Sequence, residues 1–228
     1  MEKRSTITAR ILRFPIILLL IYLSVPLLLT VFQFPMDFRS STTLFPFLFG
    51  LVIGAAIFSM LCKFSPVYIF GHEFTHWLTA KIFRRRTGRF RIGLASGSVE
   101  IERPNLWISL SPYFIPLYTL IWSGIYLLIR QFNPLPAGHY EFAAIGGIGL
   151  TYAYHLVMTA FAFHRDQQDL RAYGTIFSLS LILFINLLLI FAALLAVTGE
   201  WAGGSRLLWH QLQRHTQFFL ELLALNAS

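Results

Sequence analysis

Residues 66–83 read Pro-Val-Tyr-Ile-Phe-Gly-His-Glu-Phe-Thr-His-Trp-Leu-Thr-Ala-Lys-Ile-Phe. Pro66 suits the first turn of a helix, where its missing N–H is not needed. The residues that follow are mostly apolar, interrupted by His72, Glu73 and His76 in the pattern H-E-x-x-H. In a helix His72 and His76 lie one turn apart on one face, so two imidazoles can hold one metal ion. Glu73 lies beside them, where a carboxylate can take a proton from a water. Ionisable groups are costly in hydrocarbon, and where they persist in an apolar helix they generally have a task.

The rest of the chain sets that helix among others like it. Of 228 residues, 56% are hydrophobic and only 12% charged, against about 25% charged in soluble domains. Several apolar runs approach the roughly 20 residues a helix needs to cross a bilayer. The expected fold class is an all-α polytopic membrane protein of five to six membrane helices forming a single domain over 1–228. The formal charge is +8, but the basic residues cluster at the ends of apolar segments. That is the placement of cytoplasmic anchors, not of phosphate readout, and no nucleic-acid partner is expected. The single cysteine, Cys62, cannot form an internal disulfide. Lys3, Arg4, Arg10 and Arg13 precede a long apolar run without a clean small-residue cleavage site, which reads as a retained first span.

The expected membrane helices cover 14–32, 44–62, 66–83, 107–130, 142–163 and 173–197. Gly50 and Gly54 form a small-xxx-small pair in the second, and Gly146-Gly147-Ile148-Gly149 reads as a close-packing stretch in the fifth. His155 and Asn186 read as polar residues bonding between helices. Between the third and fourth helices, residues 89–102 alternate apolar and polar around Ser96-Gly97-Ser98, the pattern of a β-hairpin. Residues 205–226 carry apolar side chains at helical spacing with Arg206, Gln211, Arg214 and Gln217 between them. They read as an amphipathic helix on the membrane surface.

Charge bias places the N-terminus, the Arg84–Arg91 cluster, Arg165 and Arg171 on the cytoplasmic side. The region 44–83 then makes one net crossing if the H-E-x-x-H helix is re-entrant; if it spans, the arginine cluster breaks the charge rule. The expected setting is a multi-pass protein of a bacterial inner membrane.

A catalytic zinc takes three protein ligands and keeps a fourth position open. After His72 and His76, the candidates for the third are Asp169, Asp166, Glu141, His139, His155 and His164. Asp166 and Asp169 would lie about one helical turn apart, so one can ligate while the other orients a ligand or caps a helix. Zn²⁺ with Glu73 as base makes peptide-bond hydrolysis the natural reaction.

The order of these features resembles the site-2 protease family of intramembrane metalloproteases, particularly its compact bacterial members. An H-E-x-x-H in an apolar helix is followed by a hairpin ending in Ser96-Gly97-Ser98-Val99-Glu100. A Pro-containing helix start at Ser111-Pro112-Tyr113 and a distal aspartate come after it. The likeness runs from about Pro66 to Asn186, and the first motif is its one strict match. It implies zinc held by His72, His76 and a distal aspartate, Glu73 as the base that activates water, and a membrane protein as substrate. It also implies that the hairpin edge pairs with extended substrate. The chain departs from the usual pattern in having no Asp-Gly. Gln168-Asp169-Leu170, with Gly174 and Phe177-Ser178 after it, looks like the distal motif of divergent relatives and favours Asp169 over Asp166 and Glu141. Two other readings share some of these residues: a membrane zinc hydrolase of a lipid or small amide or ester, and a non-catalytic protein that handles metal ions or protons or serves as a scaffold.

Overall fold

The computed structural model describes residues 7–34, 42–61, 66–94, 96–132, 138–163 and 168–225. The chain is mostly helical with one small sheet. Its elements are α1 (Ile7–Gln33), α2 (Leu44–Leu61), α3 (Pro66–Ile82), β1 (Thr87–Ile92), β2 (Gly97–Ile101) and α4 (Leu106–Leu110). A 3₁₀ turn (Ser111–Tyr113) follows, then α5 (Leu117–Phe132), α6 (His139–Phe163), α7 (Gln168–Tyr173), α8 (Thr175–Thr198) and α9 (Trp201–Leu225). Among the described residues, three helices are long and apolar enough to cross a membrane: Ile11–Gln33, His139–Phe163 and Thr175–Ala196. Leu106–Tyr113 and Leu117–Phe132 make a fourth if the bent pair is counted as one span.

The chain divides into two compact units, one of Met1–Asp37 with Ala172–Ser228 and one of Phe38–Arg171. In the first, α1 packs against α8 and α9. Arg13 donates to the Tyr173 carbonyl, and its guanidinium lies over the Tyr173 and Phe177 rings at 6.0 and 5.7 Å. α9 has the amphipathic character expected of 205–226, but its contacts run back along α1. Gly204 abuts the Phe34 ring, Gln211 donates to Gln33 at 2.6 Å, and Thr216 meets the Tyr22 hydroxyl at 2.5 Å. The α9 residues buried there are Gly204 and Gln211, while Phe218, Leu220, Leu222 and Leu223 stay exposed.

In the second unit α2 lies against α6, and the glycines read from the sequence make that contact. A Cβ at Gly50 would run into the Gly146 carbonyl, one at Gly54 would come within 2.9 Å of the Ala153 side chain, and one at Gly149 would strike the Phe47 carbonyl. Backbones approach this closely only where side chains are missing.

Residues 107–130 do not form the unbroken helix expected of them. α4 and α5 meet at 72°, because Pro112 and Pro116 each lack the N–H that a continuing helix needs. The last expected span also begins later, at Thr175. Gly174, at φ 93°, separates it from the short α7, a conformation that glycine adopts without a Cβ clash.

α3 ends in a left-handed residue, Arg84 at φ 54°. The Arg85 N–H reaches back to the Ala80 carbonyl at 2.8 Å, the wide closing bond of a Schellman motif. This turn delivers the chain into an antiparallel hairpin slightly longer than expected. Its register pairs Phe90 with Val99, Arg91 with Ser98 and Ile92 with Gly97, with an irregularity between Thr87 and Phe90. β2 lies on α3 at Gly97, where a Cβ would fall 2.6 Å from Ile69 Cγ2 and 2.7 Å from Glu73 Cγ. The hairpin therefore sits directly on the H-E-x-x-H helix.

Candidate metal centre

α3 carries His72 and His76 on one face with their rings edge to face at 4.8 Å. Residue 169 is 93 positions beyond His76, in the first turn of α7. Its carboxylate oxygen Oδ2 lies 3.5 Å from His72 Nε2 and 3.3 Å from His76 Nε2. One ligand atom from each of the three residues falls within 4.8 Å of the others, the one such metal-capable group among the described residues. Glu141 stands in the first turn of α6 and is not part of the group, nor are His139 and His155. Asp166 and His164 lie outside the described residues.

The two rings turn the same nitrogen inward. His76 Nδ1 is 2.8 Å from the Ile108 carbonyl oxygen. A carbonyl only accepts, so Nδ1 carries a proton, and Nε2, turned to Asp169, is the nitrogen that the neutral ring would offer to a cation. His72 Nδ1 faces the Tyr68 hydroxyl at 3.4 Å. The broken helix makes the Ile108 contact possible. In a continuing helix that carbonyl would accept from the N–H four residues on, and the residue there is Pro112. Ile108 O also accepts from Ser111 Oγ at 2.9 Å. Asn105 caps α4 by accepting from the Ile108 N–H at 2.9 Å.

The site is largely withdrawn from solvent, with side-chain exposures of 9% for His72 and 8% for His76 against 29% for Asp169. Burial raises the Asp169 carboxyl, but hydrogen bonds and charge from His72 and His76 outweigh it and hold the group below the ordinary carboxylate range. Tyr113, fully buried, donates to the same Oδ2 at 3.5 Å and meets the His72 ring edge to face at 5.3 Å. Glu73 is half-buried and lies under β2, with the Val99 backbone amide against its carboxylate. A small open cleft adjoins His72, walled by Tyr68, Pro112, Tyr118, Tyr154 and Met158 among others.

Two imidazole nitrogens and one carboxylate oxygen suit zinc, and both Nε2 atoms turn inward, where a cation would take the place of a proton. The same donors would also accept other divalent transition metals. Three of the groups around the ligands were not assigned this role from the sequence. Tyr113 and Pro112 read only as parts of a helix start. Tyr68 had a usable signal, since it stands four residues before His72 and so on the same helical face.

Comparison of the chain with protein-family models, with curated proteins and with solved structures finds no match.

Proposed function

We propose that the chain is a zinc-dependent intramembrane endopeptidase, hydrolysing a peptide bond in or near a transmembrane segment of another protein. The observation that carries this reading is the convergence of His72, His76 and Asp169, with Glu73 beside the two histidines on α3. His72 and His76 would hold the ion through Nε2, and Asp169 would close the set from α7. A zinc ion bound there would supply a Lewis acid for a scissile carbonyl. Glu73 takes the proton of the attacking water and returns it to the leaving amine, while the Val99 amide fixes its carboxylate. The low exposure of the histidines limits competing water around them.

The membrane setting is supported by the three apolar helices. In this reading α2 and the bent α4–α5 pair also lie in the bilayer, giving five to six membrane helices with the N-terminus cytoplasmic, in a bacterial inner membrane. Substrate, like enzyme, would then be a membrane protein within the same bilayer.

The decisive variant is Glu73→Gln, assayed on reconstituted protein with a single-span model substrate. It should retain zinc at wild-type stoichiometry while cleavage falls by about 10²–10⁴-fold, the range of a lost general base. Cleavage at the wild-type rate would overturn the mechanism.

A further inference from the structure

A metal ligand works only in the right tautomer and orientation, and the groups that impose these are part of the site. His76 has such a group in the Ile108 carbonyl. We propose that Tyr68 and Tyr113 do the same for the other two ligands, Tyr68 as the positioning residue of His72 and Tyr113 as that of Asp169. This assignment rests on the zinc reading above.

Tyr68 stands one turn before His72 on α3, with its hydroxyl 3.4 Å from Nδ1 and its ring 5.6 Å from the imidazole. With Nε2 committed to an ion, Nδ1 carries the proton and donates to the Tyr68 oxygen. A neutral phenol in this place orients the ring without adding the negative charge of the carboxylate often found behind a ligating histidine. Tyr113 closes the 3₁₀ turn that contains Pro112 and has no exposed surface. Its hydroxyl donates to Asp169 Oδ2, the oxygen that faces both histidines, and its ring edge packs on His72. It thus touches two of the three ligands at once. The three ligands are held from three separate places: α3 itself, the middle of α4, and the turn after it. Both phenol distances lie beyond the usual hydrogen-bond range, and the assignment is therefore tested on the metal-loaded protein.

Tyrosine-to-phenylalanine changes separate a hydroxyl's work from a ring's. Tyr118 serves as the comparator. It walls the same cleft, but its hydroxyl donates to the Val67 carbonyl and to no ligand. The full chain is purified in nanodiscs and its zinc affinity measured by competition with a chromogenic chelator. Tyr68→Phe and Tyr113→Phe should each bind zinc about 10–100-fold more weakly, the usual loss for a ligand's supporting partner. Tyr118→Phe should bind as wild type does. Cobalt-loaded Tyr68→Phe and Tyr113→Phe should show shifted ligand-field bands, which loss of general packing would not produce.

Wild-type affinity in both phenylalanine variants would overturn the assignment while leaving the metal centre standing. An equal loss in Tyr118→Phe would trace the effect to cleft packing and overturn it too. Failure of the wild-type chain to bind zinc would remove the underlying reading, and the tyrosine roles with it. Should Tyr113→Phe not fold, 3,5-difluorotyrosine at position 113 keeps the hydroxyl and makes it a stronger donor. An unchanged cobalt spectrum would then overturn its role.

Discussion

α2 and α3 are consecutive helices of 18 and 17 residues, and they are held in place by opposite means. α2 is uniformly apolar and fits α6 through what it lacks, the side chains at Gly50 and Gly54, matched by Gly146 and Gly149 across the contact. α3 is held by directed polar groups and by neighbours from distant parts of the sequence: the Ile108 carbonyl, the Val99 amide, Tyr113 and Asp169. A contact made by close backbone approach needs only small residues at helical spacing. A site that orients imidazole rings and a carboxylate needs particular atoms delivered to particular points, and here the hairpin, the broken helix and α7 supply them.

The difference can be broken first at the ligands. Asp169→Ala and His76→Ala should each weaken zinc binding by more than about 100-fold, beyond the loss expected for a supporting residue, as read by chelator competition. Unchanged zinc in Asp169→Ala would move the third ligand to Asp166 or Glu141. The converse variant, Gly149→Leu, should lower stability by about 1–3 kcal/mol through overpacking, measured by denaturant titration in micelles. Its zinc affinity should stay at the wild-type value. Loss of zinc in Gly149→Leu would mean that the α2–α6 contact also shapes the site.

A smaller, graded effect is expected with pH. Asp169 is held below the ordinary carboxyl value by the histidines, so it stays ionised from pH 8 down to about pH 5. Its contribution to the metal-free fold is complete above its unfolded pKa of about 3.9 and is lost only as the pH falls through the lower folded value. Acid release of zinc between about pH 7 and 5 should therefore follow protonation of His72 and His76. A release curve centred well below pH 4 would instead assign it to the carboxylate.

Much of this was legible in the chain itself, for reasons that differ by element. Apolar run length marked α1, α6 and α8, because the hydropathy signal is local and continuous. The alternation around Ser96-Gly97-Ser98 marked the hairpin, and H-E-x-x-H marked the site helix by spacing alone. Asp169 was singled out from a resemblance, since no local periodicity links residues 93 positions apart. The break in 107–130 was hidden by its apolarity. Pro112 and Pro116 were visible, but the run around them is as hydrophobic as a span, so its length was read as one helix. α9 was legible as amphipathic, but not its contact with α1, because the side chains that bond across it, Gln211 and Thr216, are polar ones that carry no hydrophobic signal.

The Ile108 carbonyl has a consequence for how mutations in this site would be read. It is main chain, so every substitution at position 108 leaves the acceptor in place and changes only what the side chain packs against. The information that keeps it available to His76 is written four residues later, as the missing N–H of Pro112. A side-chain scan would thus score position 108 as packing and position 112 as a turn residue. The orientation of a metal ligand would go unseen in both columns, though it is encoded between them.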